Sequence, residues 1–524
     1  MPAAMSLRLL KSTATVGAMT LVSRILGLAR DVVIARFGAG AATDAFFVAF
    51  KIPNFLRRLF GEGAFSQAFV PVLAEYKAHH DHAEVRRLTD HVSAALGGIL
   101  FLVTLIGVIA APLLVYLFAP GFHTDPDKFR LTEQMLRITF PYILFISLTA
   151  LAGGILNTYG RFSVPAFTPV LLNLSLIGAA LWLAPHLAHP ITALAWAVLA
   201  AGILQLAFQF PFLARLRLLP RPRFDWHDPG VRRILRLMVP ALFGVSVTQV
   251  NLLVDTLIAS FLASGSITWL YYSDRLMEFP VGVFGVALGT VILPHLSQRH
   301  AQADPESFRR SLDWGLRWVV LIAAPATVGL ILLAGPLLTT MFQYHAFSPR
   351  DVVMASRSLI TFSMGITGFI MIKVLAPGFY ARQDTATPVR IAATAMAANI
   401  VFNLLLVVPL KHAGVALATS LAAYVNSGLL LRALLRSGVY RAERGWSRFA
   451  IQVGGACLAM GLVLGYGRGD LATWLAWGAA QRAAHLALWV TAAGVTYVGV
   501  LAALGMRPAH LLETPSADAA PRTL

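Results

Sequence analysis

The chain has 524 residues, of which 57% are hydrophobic and only 13% are charged. Soluble domains carry about 25% charged residues, so this composition excludes a soluble globular protein and favours a membrane protein. The formal net charge of +18 could suggest nucleic-acid binding, but basic loops on the cytoplasmic side of a membrane protein give the same surplus. Cys457 is the only cysteine, which excludes internal disulfides and metal sites built from cysteines.

Apolar stretches long enough to cross a bilayer, about 20 residues each, follow one another along the chain. We expect about 14 transmembrane helices with short connections and no sizeable soluble domain. The first stretch contains Arg24 and Arg30 and is predicted to stay as a helix, not to be cleaved as a signal peptide. The predicted helices lie near residues 10–36, 43–74, 91–119, 131–158, 164–184, 191–216, 231–263, 268–297, 311–343, 351–381, 387–409, 412–436, 447–467 and 484–506.

Basic residues concentrate in every second connection. The densest group lies between the sixth and seventh predicted helices, whereas the alternate connections hold few basic residues, such as Lys128 and Arg350. Positively charged connections stay in the cytoplasm, so both termini are predicted to be cytoplasmic. This distribution accounts for most of the net charge without nucleic acid. The dense group comprises Arg215, Arg217, Arg221, Arg223, Arg232 and Arg233.

An internal repeat predicts the domain organisation. The segment Arg86–Asp90 resembles Arg309–Asp313, 223 residues later, and Ala111–Leu114 resembles Gly335–Leu338 at nearly the same shift. Because each copy holds an even number of helices, the two copies should share one orientation, and substrate would bind between them. We therefore predict an N-lobe at 1–220, a C-lobe at 221–438, a C-terminal helix pair at 439–510 and a cytoplasmic tail at 511–524.

Charged residues inside the first two predicted helices require an explanation, since one charge at the centre of a membrane helix costs about 2.5–3.5 kcal/mol. They could pair with one another as structural ion pairs. The cations outnumber the acids, however, and guanidinium groups bind phosphate oxygens in a bidentate manner, which favours an anion site. The charged residues are Arg24, Arg30, Asp31, Asp44, Lys51, Arg57, Arg58 and Glu62.

Two further groups leave alternatives open. In the eighth helix, Arg275 is either the second half of an anion clamp or a partner of Asp274 and Glu278. A second group could hold Na⁺ through oxygen ligands, or it could be polar glue between packed helices. A strong cation site would need a second carboxylate at the position that Asn403 occupies in this chain. The candidate Na⁺ ligands are Asp255, Asn399, Asn403 and Thr419.

Several motifs resemble one known family over essentially the whole chain. The motifs are Ser23–Asp31 (SRILGLARD), Ala42–Phe47 (ATDAFF), Pro53–Phe65 (PNFLRRLFGEGAF), Tyr271–Pro280 (YYSDRLMEFP) and Val374–Tyr380 (VLAPGFY). They resemble the MurJ (MviN) family of lipid II flippases, within the multidrug/oligosaccharidyl-lipid/polysaccharide exporter superfamily. The resemblance implies an all-α integral membrane protein with two six-helix lobes in parallel repeat. It also implies a C-terminal helix pair with a groove for a polyprenyl tail.

The resemblance also implies roles for individual residues. One group of residues matches positions where the family needs charge in its central cavity. A second group is assigned to the gate or to the cavity. The proposed substrate-binding residues are Arg24, Arg30, Asp44, Arg57 and Arg275. The gate or cavity residues are Asp31, Asn54, Glu62, Asp274 and Glu278.

The expected function is to flip lipid II, an undecaprenyl-pyrophosphate-linked peptidoglycan precursor, from the inner to the outer leaflet of the bacterial inner membrane by alternating access. No covalent catalysis and no cofactor are expected, and the membrane potential or a Na⁺ gradient would drive transport. Expected partners are lipid II, membrane lipids and other cell-wall synthesis proteins, not nucleic acid.

Three alternatives remain. The cargo could be another polyprenyl-linked oligosaccharide. A multidrug exporter of cations fits poorly with surplus positive charge in the first two helices. A membrane glycosyltransferase would need acidic residues on a substantial outer loop, but the outer loops are short and poor in acids. The absence of a Walker-type phosphate loop in the sequence argues against ATP as the driving force.

Overall fold

The structure is a computed structural model that describes residues 2–58 and 64–506, with side chains from residue 17 onward except at 241 and 243–252. Within this part of the chain the regular structure is helical and no strand occurs, which confirms the all-α class. The predicted gate residue Glu62 and the predicted tail at 511–524 lie outside the described residues.

The chain divides into two compact units, Met1–Ser266 and Ile267–Leu524. The helices of the first unit are α1 Pro2–Ala35, α2 Ala41–Leu56, α3 Ser66–His79, α4 His82–Ile109, α5 Ala111–Phe118, α6 Pro126–Thr139, α7 Tyr142–Thr158, α8 Ser163–Gly178, α9 Thr192–Arg215 and α10 Pro229–Ser260. Helix α10 packs on α3 and α4 within this unit. The predicted lobe boundaries at 220 and 438 stay predictions.

The second unit contains the remaining helices. They are α11 Ser266–Pro280, α12 Val286–Ala301, α13 Pro305–Leu332, α14 Ala334–Phe342, α15 Pro349–Ser363, α16 Ile366–Tyr380, α17 Ala386–Leu410, α18 His412–Arg436, α19 Trp446–Gly467, α20 Leu471–Ala476 and α21 Ala479–Ala503. A π-helical turn at Val281–Gly285, which follows Pro280 and contains two glycines, joins α11 to α12.

Eleven segments of the described chain are long and apolar enough to cross a membrane. Each of them overlaps one predicted helix. The other three predicted helices, near 10–36, 43–74 and 231–263, overlap α1, the pair α2 and α3, and α10. The protein is therefore a multi-pass helical membrane protein, while the number 14 stays a prediction.

Helix starts recur at the shift that the sequence repeat predicted. Helices α4 and α13 both have 28 residues, and α13, α14 and α15 begin 223 residues after α4, α5 and α6. The N-caps recur as well: Asp81 accepts a hydrogen bond from the Glu84 backbone N–H, and Asp304 accepts one from Ser307. A capping side chain satisfies backbone donors that the first helical turn leaves without a partner, so equivalent caps start equivalent helices.

The carboxylate of Asp313 on α13 binds the segment between α18 and α19 and the first residue of α19. Asp313 accepts hydrogen bonds from the Tyr440 hydroxyl and the Trp446 indole N–H at 2.8 and 2.7 Å, and from the Arg317 guanidinium at 2.8 Å. Burial, followed by the bond to Asp313, raises the pKa of Tyr440 above its usual range, so its hydroxyl remains a donor. The start of the C-terminal helix pair is thereby held on the second unit.

The other end of this helix pair is held by Arg482, the fourth residue of α21. Its side chain is buried and donates to four backbone carbonyls over distances of 2.9 to 3.3 Å. Two of these carbonyls belong to α20. The third belongs to α14, and the fourth belongs to the residue that follows α14. The four acceptors are Trp474, Leu475, Thr339 and Gln343.

Candidate functional site

The buried charges of α1 contact α8, on which α1 packs. The Arg30 guanidinium donates to Asp31 Oδ1 from Nε at 3.0 Å and from Nη2 at 2.7 Å. Its Nη1 donates to Asn173 Oδ1 at 3.1 Å, and the Asn173 amide donates to the Ser23 carbonyl. Arg30 and Asp31 are only 6% and 2% exposed. The carboxylate and the amide together compensate the cost of burying this guanidinium.

Arg24 lies on the same helix but is exposed. The side chain of Arg57 is half-buried, follows the end of α2 and lies in a π-helical turn. Its Nε donates to Asn54 Oδ1 at 2.8 Å. Sequence reasoning assigned Asn54 to the cavity or gate, and the structure places it in contact with a predicted substrate-binding arginine.

Asp44 lies in the first turn of α2 and forms an ion pair that sequence reasoning missed. Its Oδ2 accepts from Lys128 Nζ at 3.0 Å and from the Gly265 backbone N–H at 2.7 Å. Lys128 also contacts Ser264 Oγ at 3.2 Å and the Phe122 ring. Both charged side chains are at least 95% buried. The scarcity of cations in the predicted outer connections was a usable signal, because a buried acid there has few candidate partners.

A second contact lies close by, at the C-terminal end of α10. The Gly121 backbone N–H donates to Ser260 Oγ at 3.0 Å, and a Cβ atom at Gly121 would lie 2.3 Å from the Ser260 carbonyl oxygen. A distance this short excludes any side chain at Gly121. The Asp44–Lys128 pair and this glycine contact together join the end of α10 to α2, to α6 and to the turn before α6.

In the second unit, Arg275 contacts two residues that lie about one helical turn away on α11. Its Nη1 lies 3.1 Å from Glu278 Oε2, and its Nε lies 3.4 Å from the Tyr271 hydroxyl, with the guanidinium 5.3 Å from the ring centroid of the same tyrosine. The Arg275 side chain remains 38% exposed. Asp274 is exposed and Tyr272 is fully buried. The structure thus joins Arg275 to Glu278, one of the two acids that the sequence offered.

Two of the predicted Na⁺ ligands contact each other within the second unit. Asn399 and Asn403 are both fully buried on α17, and the Asn403 amide donates to Asn399 Oδ1 at 2.6 Å. On α18 the Thr419 hydroxyl donates to the carbonyl of Val415. Asp255 lies on α10, in the first compact unit. Among the described residues no group of three His, Cys, Asp or Glu could hold a metal ion, and the Na⁺ site stays a prediction.

The architecture defines the class of this protein as a multi-pass helical membrane protein with charged residues inside its helices. A solved structure of an inward-facing multidrug resistance MATE family transporter of the MOP superfamily has the same fold, with a TM-score of 0.66 at 13% identity, covering 81% of this chain and 98% of that one. At this identity the likeness concerns the fold alone.

Closer relatives decide the family. The family model "Lipid II flippase MurJ" matches residues 33–478, so the chain belongs to the lipid II flippase MurJ family. A probable lipid II flippase MurJ of Vibrio cholerae serotype O1 is 49% identical over 510 residues, covering 96% of this chain and 97% of the relative. The lipid II flippase MurJ of Burkholderia cenocepacia is 48% identical over 459 residues, covering 87% and 89%. A solved structure of lipid II flippase MurJ in an inward closed conformation has a TM-score of 0.76 at 26% identity, covering 93% of this chain and 99% of that one.

Proposed function

We propose that this protein flips lipid II from the inner to the outer leaflet of the bacterial inner membrane by alternating access. The family assignment carries the proposal, since relatives that cover nearly the whole chain are named lipid II flippases. The role is that of a transporter and involves no covalent step. Other polyprenyl-linked oligosaccharides would carry the same pyrophosphate chemistry, but no feature of the described residues favours them over lipid II.

The cationic side chains support an anionic head group as cargo. Arg57 donates a hydrogen bond to the neutral amide of Asn54, and Arg275 contacts the exposed carboxylate of Glu278. Exchanging such partners for phosphate oxygens replaces weak or solvent-screened contacts by charge-assisted bidentate bonds. We assign Arg24, Arg57 and Arg275 to the first contact with the pyrophosphate.

Arg30 has a different role in this proposal. Its guanidinium is buried and already held by Asp31 of the same helix and by Asn173 of α8, so phosphate can replace Asn173 only if α1 and α8 separate. Arg30 would then bind the pyrophosphate in a later state of the cycle. Asp31 would hold Arg30 in place until that state is reached.

In this proposal, the contacts of Asp44 close the protein on its periplasmic side. The bonds from Asp44 to Lys128 and Gly265 hold the segment that follows α10, and all three residues lie on the predicted periplasmic side. We propose that these bonds break when the head group leaves to the periplasm. Glu62, which lies outside the described residues, stays a predicted gate residue.

The test is depletion of the protein in cells with leaflet-resolved labelling of lipid II. We expect lipid II in the outer leaflet to fall severalfold when no substitute flippase is present. Re-expressed Arg24→Ala, Arg57→Ala or Arg275→Ala variants should fail to restore it, whereas the matched control Arg432→Ala, which removes an exposed arginine at the end of α18, should restore it.

Two results would contradict the proposal. Normal labelling of outer-leaflet lipid II after depletion would show that lipid II is not the cargo of this protein. Full activity of all three arginine variants at normal protein levels would limit these arginines to structural ion pairing and leave lipid II flipping without its proposed contacts.

A further inference from the structure

A cavity of about 490 Å³ lies on the first unit, away from the charged residues of α1 and α2. Three helices, α4, α7 and α9, form its walls, and the segment that connects α9 to α10 forms one end. The lining is almost entirely apolar. Its members include Ala94, Gly97, Leu148, Ala152, Phe210 and Leu219.

Small residues on α4 create the space. A Cβ atom at Gly97 would meet only Leu148 Cδ2, at 4.0 Å, so this position opens into the cavity. One residue further, a Cβ at Gly98 would lie 3.0 Å from the Phe224 ring, which covers α4 at that point. Phe101 and Phe210 line the cavity and remain 62% and 43% exposed. Because they lie on helices that qualify as membrane spans, the cavity is accessible from the lipid phase.

The connecting segment is fixed over the cavity by Asp90 of α4. The Arg221 backbone N–H donates to Asp90 Oδ1 at 2.7 Å, and the Arg223 backbone N–H lies 3.5 Å from the Asp90 carbonyl oxygen. The side chains of Arg221 and Arg223 are exposed, and neither forms an ion pair with any residue that the structure describes. Arg215 and Arg217 add two more exposed cations to the same segment.

We propose that this cavity binds one anionic phospholipid of the leaflet on the side of the connecting segment. An acyl chain fills the apolar space between α4, α7 and α9, and the phosphate of the head group contacts Arg221 and Arg223. The volume falls in the range of small-ligand sites, about 300–1,000 Å³, and basic pockets between membrane helices on the cytoplasmic side select anionic head groups. Guanidinium groups also match phosphate oxygens in geometry.

A phospholipid fits this cavity better than a polyprenyl carrier does. The cavity of about 490 Å³ has room for one acyl chain but not for the whole of a long polyprenyl tail. The bound lipid is therefore distinct from the cargo of the proposed function. It would remain on the first unit while cargo is transported.

The experiment uses the purified full chain in detergent, with phosphatidylglycerol and phosphatidylcholine of equal chain length as probes. Native mass spectrometry should show one retained phosphatidylglycerol at severalfold higher occupancy than phosphatidylcholine. The double variant Arg221→Gln/Arg223→Gln should lower that occupancy to the phosphatidylcholine level. Gly97→Leu, which fills the cavity, should lower the binding of both lipids. A photoreactive acyl chain should label peptides of α4 or α9.

Matched controls separate the site from general lipid adhesion. Arg432→Gln/Arg436→Gln removes two exposed arginines at the end of α18, and Gly428→Leu adds the same side chain to an exposed glycine of that helix. Both controls should retain phosphatidylglycerol as the unmodified chain does. If Gly97→Leu fails to fold, the arginine double variant, at exposed positions, still decides the head-group contact.

Three outcomes would overturn the proposal. They are equal retention of the two phospholipids, unchanged retention by the double variant, and displacement of phosphatidylglycerol by an equimolar polyprenyl phosphate. The last outcome would assign the cavity to the cargo.

Discussion

Asp44 and Lys128 illustrate how one buried ion pair joins residues that are distant in sequence. Both side chains are at least 95% buried, so each charge depends on its partner for stabilisation. The backbone N–H of Gly265 adds a second donor to Asp44. Removing one partner of a buried pair leaves an uncompensated charge, which typically costs about 3–5 kcal/mol, whereas removing both is much less costly.

We expect Lys128→Met to lower the stability of the purified protein by about 3 kcal/mol or more. Asp44→Asn should have an effect of similar size, and the double variant should be more stable than the Lys128 single variant, because no charge is left buried alone. Thermal unfolding in detergent, followed by intrinsic fluorescence, measures the order of the three variants.

The control is Arg137→Ala, which breaks a pair with Glu133 on the surface of α6, where the arginine side chain is 49% exposed. Exposed pairs of this spacing contribute only about 0.3–0.5 kcal/mol. A double variant as unstable as the sum of the two single variants would show that Asp44 and Lys128 do not depend on each other.

At the scale of helices, polar residues decide where elements begin. The predicted starts at 91 and 311 are wrong, since α4 begins at His82 and α13 at Pro305. A search for apolar runs misses the polar first turns of these helices. The capping residues Asp81 and Asp304 were readable as start signals. The predicted helix at 43–74 overlaps both α2 and α3, and residues 59–63 between them lie outside the described residues.

Arg482 anchors a whole element, because its guanidinium satisfies carbonyls at two helix ends. We expect Arg482→Ala to destabilise the C-terminal helix pair by about 3 kcal/mol, since hydrogen bonds to charged groups contribute about 1.5–3 kcal/mol each and are not additive. Arg482→Lys should recover only part of the loss, because an ammonium group lacks the planar fork of donors.

Limited proteolysis between α18 and α19, combined with thermal unfolding, measures this effect. Arg432→Ala, an exposed arginine on α18, is the matched control and should behave like the unmodified chain. Equal protection of the Arg482→Ala variant would show that the carbonyl contacts do not hold the helix pair.

For the whole molecule, the charge pattern predicts the orientation in the membrane. The test uses a Cys457→Ala background, which removes the only cysteine. Gln302→Cys then introduces a single exposed thiol just before α13, and Ala346→Cys introduces one just after α14. A membrane-impermeant maleimide should label Ala346→Cys in intact spheroplasts. It should label Gln302→Cys only after permeabilisation, because basic connections stay inside. The reverse pattern would contradict cytoplasmic termini.

The sequence by itself determined the helical membrane class, the repeat at a shift of 223 residues and the family resemblance. These properties depend on local hydropathy, on caps and on short motifs, all of which are readable along the chain. It also identified the charged residues of α1, α2 and α11 as exceptional, because a charge near the centre of a bilayer is costly.

Only the tertiary structure decided how those charges are compensated. Arg30 contacts Asn173, Asp44 contacts Lys128, and Arg482 donates to four backbone carbonyls. Hydrogen bonds and ion pairs act over a few ångströms, and which residues come within that range depends on helix packing and not on separation along the chain.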